Sequence, residues 1–249
     1  MQFKGKVSVI TGGANGIGRQ LALSLSKLGS KIAIIDIKQA EGDETAREVS
    51  KASECVFYHC DVKKLANIEA TIKEIDRHFG GIDILANCAG LANRTPIEDI
   101  TEEEWDLLNS VNLKASFFVS KEACKIMRRQ GGGRIINFSS IRAYQADGNH
   151  TIYDVTKAGI LAMTRSFAVA YAKDNINVNA VSPGYVLTPM SAHNLERKDF
   201  TKWLYGRVPA GRFIEIQEVV DTVLFLASEH ASGITGQDIL VDGGWQVHE

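Results

Sequence analysis

The stretch VSVITGGANGIG, Val7 to Gly18, joins an apolar run to a glycine-rich turn. The run is rich in β-branched residues, which favour a strand, and a helix-like stretch (17–28) follows the turn at once. Glycines such as Gly12 and Gly16 allow a backbone to approach a pyrophosphate closely, and the N–H groups that open a helix stabilise its charge. The stretch therefore predicts a strand, a phosphate-binding loop and a helix in succession.

The same alternation continues along the chain and predicts the fold. Strands are predicted at 6–10, 31–36, 55–59, 82–86, 134–138, 176–181 and 238–241, and helices at 17–28, 39–51, 64–78, 101–130, 152–173 and 216–229. The fourth helical stretch opens with TEEEW, in which Thr101 is a cap residue followed by acids. This order predicts one α/β domain over residues 1–249, a Rossmann-type doubly wound fold with a parallel sheet of about seven strands and helices on both faces.

Composition excludes several classes of function. The 249 residues are 45% hydrophobic and 23% charged, with a net charge of −2, so no basic footprint for nucleic acid is present. No apolar run approaches the roughly 18 residues of a membrane span, and the VSVI segment is too short for the apolar core of a signal peptide. We therefore expect a cytoplasmic protein. Its four cysteines show no metal-binding spacing, which predicts reduced thiols and no metal site.

Asp36 extends the phosphate-loop argument to a specific cofactor. It ends the second predicted strand, eighteen residues beyond Gly18, where a carboxylate can accept hydrogen bonds from the ribose hydroxyls of an adenosine. A 2′-phosphate at that place would be repelled by the carboxylate. The pattern therefore predicts a dinucleotide site that prefers NAD to NADP.

The glycine spacing, G-x-x-x-G-x-G, resembles that of the short-chain dehydrogenase/reductase family, whose members carry T-G-x-x-x-G-x-G here. Other elements of that family occur in the same order along nearly the whole chain. Asp61–Val62 resembles its adenine-contacting pair, NCAG (87–90) its N-N-A-G element, SPG (182–184) with Thr188 its nicotinamide-side segment, and DGG (242–244) its C-terminal element.

The resemblance implies an NAD site, a homotetramer and a catalytic tetrad. The implied cofactor residues are Thr11, Gly12, Asn15, Gly16, Ile17, Gly18, Asp36, Asp61, Val62, Asn87, Ala89, Gly90, Tyr153, Lys157, Pro183, Gly184, Val186 and Thr188. The helices around 101–130 and 152–173 and the C-terminal strand are expected between subunits. The tetrad is Asn112, Ser140, Tyr153 and Lys157.

Two of these residues have a chemical argument of their own. In YDVTK, Tyr153 and Lys157 stand one helical turn apart on one face. A phenol titrates near ~10, and an ammonium within ~4 Å is worth roughly three pKa units at an effective dielectric of ~20. Lys157 is thus expected to bring the pKa of Tyr153 towards neutrality, so that the phenol acts as general base in oxidation and general acid in reduction.

The other two tetrad members depend on the resemblance for their roles. Ser140 follows a predicted strand, and its hydroxyl is expected to hold the substrate oxygen beside the phenol. Neighbouring Ser139 is the alternative, and the family spacing of thirteen residues before the tyrosine selects Ser140. Asn112 stands mid-helix, where asparagine is a poor helix former, and the resemblance implies that it holds a water linking Lys157 to solvent.

The substrate is expected to meet the loops at 91–99, 141–151 and 185–212. Candidate contacts are Arg94, Arg142, His150, Tyr185 and His193. Their polar and partly cationic character favours a sugar, a polyol or a hydroxy acid. The predicted reaction interconverts a secondary alcohol and a ketone, or a sugar hemiacetal and a lactone, with hydride transfer to NAD.

Two alternatives share these motifs. An NADPH-dependent 3-oxoacyl-thioester reductase would need a cation near the 2′-phosphate, and only Lys38 and Arg19 are near in sequence. A non-catalytic dinucleotide sensor has no need of a proton donor, so the serine, tyrosine and lysine together argue against it.

Overall fold

The computed structural model describes residues 3–188 and 198–248, and these form a single seven-stranded sheet with eight α-helices. The strands are β1 (Val7–Thr11), β2 (Lys31–Asp36), β3 (Cys55–His59), β4 (Ile84–Asn87), β5 (Gly133–Phe138), β6 (Ile176–Pro183) and β7 (Asp238–Val241). Each predicted strand is present, with its ends shifted by no more than two residues. The β-branched runs therefore predicted the sheet correctly.

The strand order is β3-β2-β1-β4-β5-β6-β7, and every neighbouring pair is parallel. The chain builds outward from β1 to β3, then returns to the other side of β1 with β4. The order reverses at this point, so the loops after β1 and β4 diverge and leave a crevice at the carboxyl ends of the strands. The predicted doubly wound fold is confirmed.

The helices are α1 (Gly16–Lys27), α2 (Gln39–Val49), α3 (Leu65–Phe79), α4 (Glu102–Leu108), α5 (Ala115–Gln130), α6 (Thr151–Tyr171), α7 (Lys198–Arg207) and α8 (Ile216–Ala227). Thr101 caps α4 by accepting a hydrogen bond from the Glu104 N–H at 3.2 Å, as its sequence predicts. The single helix predicted over 101–130 is wrong in one respect, because a π-helical turn, Asn109–Lys114, separates α4 from α5.

Alternate residues of the strands feed two separate cores. On one face, Ile10 and Ile34 pack with α1 and α8, and on the other, Val9 and Ile35 pack with α3, α5 and α6. A parallel sheet buried on both faces needs such continuous apolar strands, which explains the β-branched runs. In the ranges described, no helix is long and apolar enough to cross a membrane.

Candidate active site

The loop after β1 is held against the segment after β4. Gly12 has a φ of +67°, and a Cβ there would meet the Ala89 backbone N and Cα at 2.8 Å. The Thr11 hydroxyl accepts a hydrogen bond from the Ala89 N–H at 3.2 Å. Thr11, Gly12 and Ala89, all predicted cofactor residues, therefore meet at the crevice.

The first turn of α1 offers its N–H groups to an anion. Asn15 precedes the helix in an extended conformation; among the described residues its side chain caps nothing, and no acid lies in the first turn. Gly16 has a φ of +55°, and a Cβ on it would meet no atom within 4 Å. Gly18 instead lies against the Gly12 carbonyl, which draws the helix onto the loop, while Ile17 packs into the core. Open space before uncapped N–H groups fits a pyrophosphate.

Asp36 lies beside this loop at the end of β2. One carboxylate oxygen accepts a hydrogen bond from the Ala14 N–H at 3.0 Å, and the other accepts one from the Lys38 N–H at 3.0 Å. These bonds fix the carboxylate at the edge of the crevice. Each oxygen keeps a second lone pair, so the group can still accept hydrogen bonds from ribose hydroxyls.

Asp61 and Val62, the pair predicted to contact adenine, follow β3, the next strand outward from β2. The Cys60 N–H donates to the Asp36 carbonyl at 2.9 Å, which places the segment that follows β3 beside β2. Asp61 turns its carboxylate to the Lys63 N–H at 3.1 Å, and Val62 is partly buried against the core. Asp61 and Val62 thus stand at the same sheet edge as Asp36, and their contact with adenine stays a prediction.

Asn87 occupies a different environment from its neighbours. Its side chain is buried, and its Nδ2 donates to Ser120 Oγ at 2.9 Å and to Asn137 Oδ1 at 2.8 Å. Its Oδ1 is buried without a hydrogen-bond partner among the described residues, and the predicted contact of Asn87 with the cofactor stays a prediction. Gly90 lies beside the reacting centre, because a Cβ on it would be 3.7 Å from Lys157 Nζ.

Tyr153 and Lys157 lie on α6, with the ammonium facing the phenol ring. Lys157 Nζ lies 5.4 Å from the centroid of the Tyr153 ring and donates to the Phe138 carbonyl at 2.7 Å. Burial lowers the pKa of Lys157 to about 8. The ammonium is thus held between β5 and α6, one turn below the phenol.

The expected fall in the pKa of Tyr153 is wrong for this arrangement. Burial raises the pKa of the phenol, and the neighbouring Ser140 hydroxyl lowers it most among the opposing groups, followed by the charge of Arg142. The physical reason is that the Lys157 ammonium is aimed at a backbone carbonyl and the ring face, not at the phenolic oxygen. A phenol in this state is a proton donor at neutral pH.

Ser139 and Ser140 have separate tasks. Ser139 is buried and its hydroxyl donates to the Lys157 carbonyl at 2.9 Å, which fastens the end of β5 to α6. The Ser140 hydroxyl accepts the Arg142 N–H at 3.2 Å and lies close enough to the phenol of Tyr153 to lower its pKa. The structure therefore supports Ser140, not Ser139, as the serine of the reacting centre.

Asn112 sits in the π-helical turn and is fully buried. Its Nδ2 donates to the Leu91 carbonyl at 2.9 Å and to Thr156 Oγ1 at 3.1 Å, and its Oδ1 accepts the Leu91 N–H at 2.8 Å. The side chain thus ties the segment after β4 to the helix that carries Tyr153. This tethering explains the placement of Asn112, whose implied role of holding a water stays a prediction.

The nicotinamide-side segment follows β6. Pro183 ends the strand, and the Gly184 N–H donates to the Val241 carbonyl at 2.9 Å; a Cβ on Gly184 would meet Asp242 Cα at 2.8 Å. Val186 is buried in a bridge with Ile214. Thr188 is the last described residue before 189–197. The segment therefore runs along the carboxyl edge, where it can border a nicotinamide.

The predicted substrate contacts fall into two groups. Arg142 is committed to Asp154 through two bonds of 2.7 Å and to Asp147 at 3.0 Å, and His150 Nδ1 lies 2.9 Å from the same Asp147. These pairs stabilise the loop before Tyr153, and the predicted substrate contacts of Arg142 and His150 stay predictions.

Arg94 and Tyr185 remain near the crevice. Arg94 is exposed, and the Tyr185 ring packs 5.2 Å from that of Trp245. His193 lies outside the described residues. Trp245 packs on Tyr185, and Arg207 lies against Trp245. The sequence analysis did not identify these two residues, because no local pattern shows that α7 contacts the residues after β7.

Comparison with known proteins identifies the family. Residues 12–246 match the family model described as enoyl-(acyl carrier protein) reductase. A "short-chain type dehydrogenase/reductase" of Mycobacterium ulcerans superposes with a TM-score of 0.96 at 25% identity, over 100% of this chain and 92% of that one. The chain belongs to the short-chain dehydrogenase/reductase family.

Curated relatives of this family member cover nearly all of it. An NAD-dependent glycerol dehydrogenase of Listeria innocua is 38% identical over 99% of this chain and 100% of its own. A 3-oxoacyl-[acyl-carrier-protein] reductase of Thermotoga maritima is 36% identical, over 98% of this chain and 99% of its own. A gluconate 5-dehydrogenase of Burkholderia cenocepacia, solved with NADP and tartrate, is 31% identical with a TM-score of 0.94, over 100% of this chain and 98% of that one.

Members of this family use nicotinamide dinucleotides, and the residues present fit such a cofactor. The uncapped start of α1 and the open space at Gly16 suit a pyrophosphate. The carboxylate of Asp36 suits a ribose, and the Gly184 segment leads to the reacting centre.

Proposed function

We propose that this short-chain dehydrogenase/reductase is an NAD-dependent dehydrogenase of a sugar, a polyol or a hydroxy acid. It interconverts a secondary alcohol and a ketone, or a sugar hemiacetal and a lactone. The observation that carries the proposal is the proximity of the Ser140 hydroxyl and the buried Lys157 to the Tyr153 phenol, at the crevice beside the glycine loop. Relatives that act on glycerol and gluconate support the substrate class.

The nicotinamide ring, when bound, accepts or donates the hydride. The protein must then move one proton at the substrate oxygen for each hydride. Ser140 holds that oxygen beside the phenol, and Tyr153 gives a proton to it in reduction or takes one in oxidation. Lys157 lies one turn below and carries a charge that responds to pH near 8, so it biases the protonation of the crevice.

The choice of NAD is supported by the surroundings of the ribose site. The two cations near Asp36 are already paired: Lys38 Nζ lies 3.9 Å from Glu41, and Arg19 forms an ion pair with Glu48. Both cations would have to leave a carboxylate partner to neutralise a 2′-phosphate, while the Asp36 carboxylate repels one. One relative is a 3-oxoacyl-[acyl-carrier-protein] reductase, so the alternative of an NADPH-dependent 3-oxoacyl-thioester reductase is included in the test.

The test is an activity screen of sugars, polyols, hydroxy acids and a 3-oxoacyl thioester with both cofactors. We expect turnover with NAD, and a loss of at least ~10²-fold in Tyr153→Phe because the proton has no carrier. Tyr171→Phe, the same change at the other end of α6, should keep the wild-type rate. The proposal fails if the Tyr153 variant keeps more than about a tenth of that rate, or if only the thioester reacts.

A further inference from the structure

An aromatic cluster stands next to the nicotinamide-side segment. Tyr185 contacts Phe200, Trp203 and Trp245, with ring centroids 5.8, 6.2 and 5.2 Å away. The two indoles lie 5.6 Å apart. α7 and the chain end therefore meet over Tyr185 and form an outer wall of the crevice.

Arg207 ends α7 and lies against this wall. Its guanidinium carbon is 5.7 Å from the ring centroid of Trp203 and 5.8 Å from that of Trp245. Two aromatic faces fix a guanidinium in position and leave its N–H edges available. Within residues 3–188 and 198–248 no carboxylate pairs with it, nor with Arg94, whereas Arg142 is bound to Asp154 and Asp147.

The charges of these arginines converge on one phenol. Burial raises the pKa of Tyr185, and the positive charges of Arg142, Arg94 and Arg207 each lower it. Arg142 also acts on Tyr153. Arg94 and Arg207, which have no carboxylate partner among the described residues, thus lie close enough to Tyr185 for their charges to act on it.

The wall also offers neutral polar atoms. Gln145, Trp245 and Gln246 line a cavity with Arg207, and the Trp245 Nε1 donates to Gln145 Oε1 at 2.9 Å. Gln246 Oε1 is buried without a hydrogen-bond partner in the described chain. A buried carbonyl oxygen without a donor is costly, and a substrate hydroxyl would satisfy it.

We propose that Arg207, assisted by Arg94, binds an anionic group at the non-reacting end of a polyhydroxylated substrate, while Gln246 accepts a hydrogen bond from one of its hydroxyls. The inference rests on the proposed function for the identity of the reacting end. The anionic group is a carboxylate or a phosphate, since a guanidinium edge suits both. The substrate is then an acidic sugar derivative and not a neutral polyol.

The test separates binding from turnover. Calorimetric titration of the Tyr153→Phe protein, with and without NAD, compares D-gluconate, sorbitol 6-phosphate and neutral sorbitol. We expect one anionic probe to bind at least about tenfold more tightly than sorbitol, and Arg207→Gln to remove about tenfold of that affinity, as for a hydrogen bond to a charged group. Arg207→Gln should leave sorbitol binding within about twofold of its original value.

Arg77→Gln is the matched control, because Arg77 is an exposed arginine in the last turn of α3, at the opposite edge of the sheet. It should leave all three titrations unchanged. Arg94→Gln provides a second test if Arg207→Gln does not fold. The inference is overturned if neither anion binds better than sorbitol, or if the Arg207 variant weakens all probes equally, which would indicate packing alone. Absence of turnover in the wild type would instead refute the proposed function.

Discussion

Lys157 holds an ammonium group where water scarcely reaches; it donates to the Phe138 carbonyl, and no carboxylate of the described residues pairs with it. Its pKa in the folded protein is about 8, against an ordinary value of 10.5. The unfolded chain therefore binds the proton more tightly, so the burial penalty is fully present below pH 8 and disappears as the pH rises towards 10.5. This difference corresponds to something on the order of 3 kcal/mol.

Lys157→Met should therefore be more stable than the wild type at pH 7. Losing the bond to the Phe138 carbonyl costs about 1 kcal/mol, so the net gain in the free energy of unfolding is roughly 1–2 kcal/mol. The advantage should shrink between pH 8 and 10, since the wild type loses its penalty there. Urea unfolding at both ends of that range measures it. A Met variant that is less stable at pH 7 would show that the ammonium stabilises the fold.

Asp36 sets the cofactor preference by charge and hydrogen bonding together. Repulsion of a 2′-phosphate, screened at the crevice edge, should give NAD roughly a 10- to 100-fold advantage in kcat/KM. Asp36→Ala should lose most of that advantage. Asp43→Ala removes a carboxylate from the exposed face of α2 and should keep it. Equal use of NADP by the wild type would contradict this role.

For single residues, the sequence predicted which side chains form the site better than it predicted their pKa values and orientations. Tyr153 and Lys157 are four residues apart, so a local rule places them on one face. The direction of the Lys157 ammonium depends on the Phe138 carbonyl, nineteen residues earlier. The burial of both side chains depends on the packing of the two cores. The pKa of Tyr153 was therefore predicted wrongly, although the residue itself was found.

The π-helical turn at Asn109–Lys114 is the element that joins the two halves of the site. Asn112 makes three hydrogen bonds from it, two of them to the backbone of Leu91. Single π-helical turns of this kind are frequent at functional sites.

Asn112→Ala should leave the Leu91 N–H and carbonyl without partners, at a cost of roughly 1–3 kcal/mol in the free energy of unfolding. The same change should lower kcat, because the segment after β4 borders Lys157. Asn109→Ala, in the same turn with a bond to the Trp105 carbonyl at its exposed surface, is the control and should cost less than ~1 kcal/mol. Equal losses in the two variants would contradict a special tether at Asn112.

Sequence periodicity could predict neither this turn nor α7. The π turn continues directly from α4 into α5 without a proline or glycine that would mark an interruption, so 101–130 looks like one helix. α7 has a mixed sequence, KDFTKWLYGR, whose aromatic residues pack on Tyr185 and Trp245. Its apolar side chains contact residues that are distant in the sequence, and local patterns do not reveal such contacts.

Over the whole molecule, large apolar side chains remain exposed on α4, α5 and α6. They are Trp105, Leu107, Phe117, Val155 and Val169. Exposed apolar side chains of this kind can form contact surfaces, and the homotetramer that the family resemblance implies stays a prediction.

Light scattering at micromolar concentration should give a mass of four 27.2 kDa chains. Val169→Lys should reduce that mass, since it places a charge on α6. Leu65→Lys, at an exposed apolar residue that opens α3, away from the helices and the strand expected between subunits, is the control and should not. A wild-type monomer would leave the fold intact and remove the tetramer.

The bond between Thr11 and Ala89 joins residues 78 positions apart. During translation, β1, β2 and β3 leave the ribosome before β4, at roughly 5–20 residues per second. For several seconds the nascent chain therefore has the glycine loop without its facing wall, and one side of β1 stays unpaired. We expect the nascent chain to gain its affinity for the cofactor only after residue 90 has emerged, so cofactor supply cannot assist the earliest folding of this protein.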